Sequence, residues 1–385
     1  MMAAAQPDTV RVSLVTFMPG SEIFELYGHA ELRVTRGSDF DYYFNYGVFD
    51  FEAPNFTARF VAGETDYLCM AVPARYATVG MEGRKMVEQD LNLTQEQATE
   101  LATALIVNSA PENRTYRYRY FGDNCSTRPR DMVESAVGEI RYSPLEADTA
   151  IVTLRDIIHR YCRNYPWERL GIDLALGCEI DKPITGREAM FVPMQLMHAI
   201  DGATIERDGQ RVPLVARTRV MVDGNDDGTV LPPTPWFLHP VTVLCFLLLA
   251  VICISFFALR RTTNNEQRTT RNLLHVLDTV ILIALGLLGC LLCYLVFVST
   301  HEATSPNWNL LWLNPIYLLA AIATLQTGHS AFRRSRWKTV VLAIAAAMPL
   351  VTLIAWPFVP QVGNVAFLPI GALATISCLN HLISR

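Results

Sequence analysis

The chain has 385 residues, of which 51% are hydrophobic, and its formal net charge is −5. The small charge is spread along the chain with no long basic patch, which argues against nucleic-acid binding. The mean hydropathy of +0.22 is too high for an ordinary soluble protein. Residues 1–235 are mixed and charged, whereas residues 236–385 consist mainly of apolar runs. We therefore predict a water-exposed domain followed by a transmembrane domain.

The first part of the water-exposed domain predicts consecutive antiparallel strands. Val10–Phe17 alternates like a strand, and Met18–Ser21 breaks the pattern. A second strand follows over His29–Val34, and a third over Asp41–Phe51 is rich in Tyr and Phe. Short strands separated by turn-length gaps are typical of an antiparallel meander.

Further strand-like and helical segments follow in this domain, which we assign to the α+β class. Tyr67–Pro73 is strand-like, whereas residues 78–90 have a helical composition. Thr94 and Gln97 have the spacing of a capping box and predict a helix start. Arg114–Phe121 alternates basic and aromatic residues, a pattern that favours an amphipathic strand over a nucleic-acid-binding segment.

This strand leads to Cys125, which lies between a polar turn and a predicted helix. Asp123 and Asn124 suit the turn and are able to cap the helix. Pro129 is tolerated only within the first helical turn, so Cys125 is expected at or just before the helix start. The partial positive charge there, together with Arg128 and Arg130, favours a thiolate, which attacks acyl groups. The competing interpretation is a small buried hydrophobic residue.

His29 is the candidate base, because a thiolate and an imidazole together support acyl transfer through a thioester. A lone strand histidine is more often structural, so this role depends on the presence of Cys125. A third group usually orients the imidazole. Asn45 is the first choice for that role, and Glu31 and Asp123 are the alternatives.

An acyl-transfer site also needs donors for the oxyanion. Tyr27 and Asn124 are the candidate side chains, together with backbone N–H groups at the helix start. Arg128 is included as a further substrate or oxyanion residue. The residue pattern predicts no cofactor and no metal, since there is no phosphate-binding glycine loop and no cysteine pair with zinc-ligand spacing near histidines.

Five apolar runs reach or approach the roughly 20 residues that cross a bilayer. The runs cover about 236–259, 273–298, 309–326, 338–358 and 362–382, and the third is the shortest. The loops after the first and third runs are rich in Lys and Arg. Their basic residues are Arg260, Arg261, Arg268, Arg271, Arg333, Arg334, Arg336 and Lys338. The other two loops have none, so we expect a cytoplasmic C-terminus and an N-terminal domain on the opposite, periplasmic side of an inner membrane.

Two features of the exported domain stay open. Met1–Val10 lacks the apolar core of a signal peptide, so we expect either a start further upstream or a signal that was removed. The loop charges weigh more, because four loops agree. Cys162 and Cys178 would form a disulfide if their compartment is oxidising.

Several motifs together resemble Lnb-type lipoprotein N-acyltransferases. The motifs are Tyr27-Gly28-His29-Ala30, Phe44-Asn45-Tyr46-Gly47, Phe49-Asp50-Phe51, Thr65-Asp66-Tyr67, Pro111-Glu112-Asn113-Arg114 and Asp123–Asp131. The resemblance implies a permuted papain-like domain, in which the histidine precedes the cysteine, followed by an all-α bundle of about five membrane helices. It also implies that Cys125 takes an acyl chain from a membrane phospholipid, with His29 as base. The acceptor would be the N-terminal amine of a diacylglyceryl-cysteine lipoprotein.

Two other functions compete with this one. A periplasmic thiol peptidase or amidase acting on cell-wall peptides would use the same Cys125 and His29, with water resolving the thioester. A sensor or scaffold would bind a partner and would tolerate the loss of both residues.

Overall fold

The computed structural model describes residues 9–50, 52–81, 83–224, 232–259, 265–325 and 336–383. The chain divides into two compact units. The N-terminal unit comprises Met1–Asn164 and Lys182–Pro232, and the C-terminal unit comprises Tyr165–Asp181 and Pro233–Arg385. The segment Tyr165–Asp181, which sequence analysis groups with the first domain, therefore packs within the second unit.

The N-terminal unit is built on a seven-stranded sheet in which every neighbouring pair is antiparallel. Its strands are β1 (Val10–Phe17), β2 (His29–Arg36), β3 (Phe40–Val48), β4 (Asp66–Pro73), β5 (Met86–Leu91), β6 (Thr115–Arg117) and β10 (Val215–Val222). They lie in the order β10-β5-β1-β2-β3-β4-β6. A second sheet contains β7 (Ile140–Arg141), β8 (Thr204–Arg207) and β9 (Gln210–Pro213). The predicted meander is confirmed by β1, β2 and β3, although Phe51 lies outside the described residues.

The prediction of a helix over residues 78–90 is wrong, because the end of this segment is β5. This strand pairs with β1 on one side and with β10 on the other. Glu88 is buried, and its carboxylate binds Arg33 at 3.0 Å and Arg219 at 2.8 Å. Both arginines lie on other strands of the sheet, so partners distant in sequence override the local helical composition.

Helices cover the sheet of the N-terminal unit. They are α1 (Phe56–Ala62), α2 (Gln95–Ser109), α3 (Thr127–Val137), α4 (Glu146–Thr149), α5 (Leu154–Tyr161), α7 (Gly186–Ala189) and α8 (Pro193–Asp201). The capping box of α2 is confirmed, since Gln97 N–H donates to Thr94 and Thr94 N–H donates to Gln97. Leu101 and Leu105 of α2 pack into one core with Leu32 of β2 and Phe44 of β3.

The C-terminal unit is helical. Its helices are α6 (Pro166–Ala175), α9 (Pro240–Leu259), α10 (Asn265–Phe297), α11 (Ile316–Leu325), α12 (Arg336–Ala355) and α13 (Phe367–Ile383). Within the described residues, four apolar spans are long enough to cross a membrane, and α13 is a shorter apolar helix of 17 residues. The predicted helical membrane domain is therefore confirmed. Four of the eight predicted basic loop residues, and Arg385, lie outside the described residues.

The segment around α6 is hydrogen-bonded to two loops of the C-terminal unit. Asn309 Nδ2 donates to the carbonyl of Asp173 at 3.0 Å, and Asn364 Nδ2 donates to the Asp173 carboxylate at 2.8 Å. Gly177 packs so closely against Pro306 that an added Cβ would lie 2.2 Å from the proline carbonyl oxygen. The loop before α11 and the loop before α13 therefore lie at the same end of the helices.

Candidate active site

Cys125 lies in a tight turn that the side chain of Asn124 holds together. Asn124 Oδ1 accepts hydrogen bonds from the N–H groups of Ser126 at 2.7 Å and Thr127 at 2.9 Å. Its Nδ2 donates to two backbone carbonyls at 2.7 and 2.9 Å. Since α3 begins at Thr127, Cys125 lies two residues before the helix, as predicted. The turn fixes the position of a cysteine that is only 9% exposed.

His29 is the first residue of β2, and the glycine before it shapes the entry into that strand. Gly28 has a φ of +78°, a conformation that side-chain-bearing residues rarely adopt. A Cβ there would lie 2.7 Å from the carbonyl oxygen of Phe17. Gly28 thus lets the backbone pass close to the end of β1. His29 follows it directly and pairs with Phe17 in the register of β1 and β2.

Two side chains hold one nitrogen of this imidazole. His29 Nε2 lies 3.1 Å from Asn45 Oδ1 and 3.3 Å from Glu31 Oε1. Glu31 and Asn45 are direct cross-strand partners on β2 and β3, so the sheet register places both beside the ring. Asn45 Oδ1 also accepts the N–H of Gly47 at 2.7 Å, which fixes the amide orientation. The other nitrogen, Nδ1, is then the one available to the sulfur.

His29 and Cys125 interact by hydrogen bonding and by charge. Burial alone lowers the pKa of His29, but attraction to Cys125 and then to Glu31 outweighs it and raises the pKa to about 10. Burial alone raises the pKa of Cys125, but His29 outweighs it and the pKa is lowered. Both shifts favour a thiolate beside an imidazolium, the charge state of an activated cysteine nucleophile.

Two further groups stabilise the thiolate, and sequence reasoning missed both. The N–H of Ala30 and the hydroxyl of Tyr118 donate hydrogen bonds to Cys125, and each lowers its pKa. Tyr118 follows β6 within the alternating Arg-Tyr segment. That alternation was the available signal, because it places Tyr116, Tyr118 and Tyr120 on one face as the chain approaches Cys125.

Gly47 is a third residue that sequence reasoning did not assign to the site. A Cβ at Gly47 would lie 2.6 Å from His29 Cε1 and 3.3 Å from His29 Nδ1. No Cβ occupies such a distance, so the glycine leaves the space that the imidazole fills. Its place two residues after Asn45 was the only sequence signal.

The structure corrects the expectation for Asn124 and describes Tyr27 more closely. The Asn124 amide donates to the carbonyls of Tyr120 and Phe191, so this side chain holds the turn in place and is not available to an oxyanion. The Tyr27 hydroxyl lies 3.3 Å from Cys162 Sγ, and its ring packs edge-on against Tyr120. Its role as an oxyanion donor stays a prediction. No cysteine of the described residues is in a disulfide, so the one considered for Cys162 and Cys178 is not formed.

The arginines near Cys125 are paired with carboxylates. Arg128 forms a two-point ion pair with Asp123, with Nη2 at 2.8 Å from Oδ2, and its guanidinium lies 3.8 Å from the centre of the Tyr116 ring. Arg130 binds Asp131 at 2.8 Å. The charge that lowers the pKa of Cys125 therefore comes from His29, contrary to the expectation for the arginines. Asp123 is engaged by Arg128 and does not compete with Asn45 for the imidazole.

The arrangement is suited to nucleophilic acyl transfer. A buried thiolate has a proton-carrying imidazole beside it, and the imidazole is oriented by Asn45 and Glu31. Across the described ranges, no three His, Cys, Asp or Glu side chains are grouped so that they could hold a metal ion. The chemistry that these residues themselves support is a thioester formed on Cys125.

Comparisons with known families agree with this architecture. A family model of the Lnb N-terminal periplasmic domain matches residues 2–160, and a model of the Lnb transmembrane domain matches residues 233–385. Neither a search of curated proteins nor a search of solved structures finds a match. Because the two family models follow each other in the predicted order and together span most of the sequence, the chain belongs to the Lnb family of membrane proteins.

Proposed function

We propose that this protein is a lipoprotein N-acyltransferase that carries the acyl group on Cys125. The donor is a membrane phospholipid, and the acceptor is the N-terminal amine of a diacylglyceryl-cysteine lipoprotein. The observation that carries the proposal is the buried pair of His29 and Cys125, in which the histidine pKa is raised and the cysteine pKa is lowered. Membership of the Lnb family and the membrane helices support lipid substrates.

In the first half-reaction, the Cys125 thiolate attacks the carbonyl carbon of a phospholipid ester. A sulfur–carbon bond forms, and the carbonyl oxygen becomes an oxyanion, for which we assign the Cys125 N–H as a donor. The ester carbon–oxygen bond then breaks. The departing lysophospholipid oxygen takes the proton of the His29 imidazolium, which leaves a thioester and a neutral imidazole.

In the second half-reaction, the lipoprotein amine attacks the thioester carbon. Neutral His29 accepts a proton from the amine as the new carbon–nitrogen bond forms. The carbon–sulfur bond breaks, and Cys125 departs as a thiolate. The product is an amide, and the original ion pair of His29 and Cys125 is restored.

Asn45 has the orienting role in this scheme. Its Oδ1 accepts from His29 Nε2, which keeps Nδ1 directed to the sulfur in both protonation states. A histidine that precedes the cysteine and is oriented by an asparagine matches the permuted papain-like arrangement that the motifs imply. Glu31 adds a negative charge 3.3 Å from the same nitrogen and stabilises the imidazolium.

We further propose that the protein lies in the inner membrane of a bacterium, with the N-terminal domain in the periplasm and the C-terminus in the cytoplasm. The alternating loop charges support this orientation. The two loops without Lys or Arg both contact the segment around Asp173, which places them at one end of the helices. Labelling of a cysteine introduced at Ser305 by a membrane-impermeant thiol reagent in intact spheroplasts tests the orientation, and protection of that site would reverse it.

The decisive experiment is intact-mass measurement of the purified full-length protein after exposure to phospholipid. We expect a mass increase of one acyl group, mapped to Cys125, and its discharge when a diacylglyceryl-cysteine peptide is added. Cys125→Ala is the control and should gain no adduct. Cleavage of cell-wall peptides without any lipid adduct would instead identify a thiol peptidase or amidase.

A further inference from the structure

Six aromatic rings form a continuous series that starts at Cys125. We call the series the aromatic track, and it consists of Tyr118, Tyr67, Phe49, Phe56, Phe60 and Phe24. The Tyr118 ring stacks on Tyr67 with centroids 4.2 Å apart, and Tyr67 stacks on Phe49 at 4.8 Å. Since the Tyr118 hydroxyl lowers the pKa of the Cys125 thiol by hydrogen bonding, the first ring of the track lies beside the nucleophile.

Beyond Phe49 the aromatic track branches towards the surface. One branch runs to Phe56 at 6.1 Å and then to Phe60 at 6.0 Å, and the other runs to Phe24 at 6.0 Å. The terminal rings are exposed, with 44% of Phe60 and 54% of Phe24 accessible to solvent. Large exposed aromatic rings that continue inward to a reactive group indicate a binding surface rather than isolated surface residues.

A cavity lies along the branch that ends at Phe60. It is small, with a volume of about 50 Å³, and Phe56, Phe60 and Tyr67 are among its lining residues. Charged side chains, including Asp50 and Arg59, lie at the same cavity. An apolar strip beside charged groups suits a ligand that has a hydrocarbon part next to a polar part.

We propose that the aromatic track binds the hydrocarbon chain of the acyl group while that group is attached to Cys125. This inference rests on the proposed acyl transfer and adds the surface that selects the chain. An acyl group bonded to the Cys125 sulfur begins beside Tyr118, and its methylenes, which come from an apolar membrane, stay out of water by lying along the next rings. The track starts at the nucleophile and leads from it to the surface, a path that fits an acyl chain bonded to Cys125 better than a flat membrane surface.

The aromatic track predicts that donors are selected by chain length. Each methylene of the tethered chain that the rings keep out of water contributes about 0.8 kcal/mol, which is about fourfold in the stability of the thioester intermediate. Methylenes that extend beyond Phe60 or Phe24 contact no further ring of the track and add no stabilisation. Selectivity should therefore rise with chain length and then level off.

The experiment measures acyl-adduct formation on full-length protein in detergent, with one phospholipid carrying sixteen-carbon chains and another carrying eight-carbon chains. Phe60→Ser and Phe24→Ser are expected to slow the reaction of the long-chain donor by about tenfold. The short-chain donor should react within about twofold of wild type, because its chain ends before the exposed rings. Phe60→Leu keeps an apolar side chain and should restore most of the long-chain rate.

Tyr76→Ser is the matched control, since Tyr76 is also an exposed ring, at 53%, but does not belong to the aromatic track. The rate of alkylation of Cys125 by iodoacetamide checks that each variant keeps an intact site. If wild type forms an adduct and the two serine variants keep its chain-length preference, the track inference is wrong. An equal loss for both donors would identify a membrane-docking surface and would also overturn it. If wild type forms no adduct with either donor, the proposed acyl transfer itself fails.

Discussion

Two of the buried cysteines of the N-terminal unit, Cys69 and Cys125, have pKa values that are shifted in opposite directions. Cys69 on β4 is 1% exposed, and burial raises its pKa to about 11, with only partial offsets from Tyr46 and Arg128. Cys125 is 9% exposed and burial also acts to raise its pKa, but the neighbouring His29 outweighs burial and lowers it. Burial by itself therefore makes an inert thiol. The adjacent imidazole makes the difference between a packing residue and a nucleophile.

Replacing each cysteine by alanine should give the largest difference in activity between the two sites. We expect Cys125→Ala to lower lipoprotein N-acylation by about three orders of magnitude or more, because the group that carries the acyl chain is lost. Cys69→Ala should stay within about twofold of wild type, because Cys69 supplies only packing volume. Mass spectrometry of lipopeptides measures both, and unchanged N-acylation in Cys125→Ala would refute the proposed function.

Removing the imidazole should make Cys125 behave like Cys69. In His29→Gln the burial of the thiol is no longer opposed by a positive charge, so the pKa of Cys125 should rise above its ordinary value. The rate of iodoacetamide alkylation at neutral pH should then fall by about a hundredfold, and its midpoint should move to higher pH. A pH profile of alkylation measures this shift. An unchanged profile would mean that His29 does not activate the thiol.

A smaller effect should follow from moving the imidazole without removing it. Gly47→Ala adds a Cβ that would lie 2.6 Å from His29 Cε1, so the ring must shift. A displacement of this kind should reduce the acyl-transfer rate by about tenfold while leaving the protein folded. Gly171→Ala is the matched control, because its added Cβ meets nothing within 4 Å. The melting temperatures of both variants check that each is folded. If the two variants then have equal acyl-transfer rates, the space beside the His29 ring has no role.

Local signals predicted the parts of the site that depend on nearby residues. The turn before Cys125 and the start of α3 follow from Asn124 and from the position that Pro129 can occupy. His29 was identified because it follows Gly28 at the start of a strand and shares a face with polar residues. The membrane helices were equally clear, since long apolar runs need only length and composition to be recognised.

Long-range pairing explains what local signals did not predict. Residues 86–91 form a strand because Glu88 finds Arg33 and Arg219 on other strands, and nothing within the segment shows those partners. The contact of Tyr118 with Cys125 depends on how the end of β6 faces the start of β2. The packing of Tyr165–Asp181 in the C-terminal unit depends on loops more than a hundred residues away.

The sequence by itself determined that this protein combines a candidate cysteine nucleophile with membrane-spanning helices, because turn residues, strand alternation and hydropathy are local properties. Only the tertiary structure decided how the thiol is activated. The register of β2 and β3 places Glu31 opposite Asn45 and both beside His29, and Gly47 leaves the space for the ring. The pKa of a buried group is set by charges and hydrogen bonds that folding brings within a few ångströms, and those distances are not encoded in any single stretch of the chain.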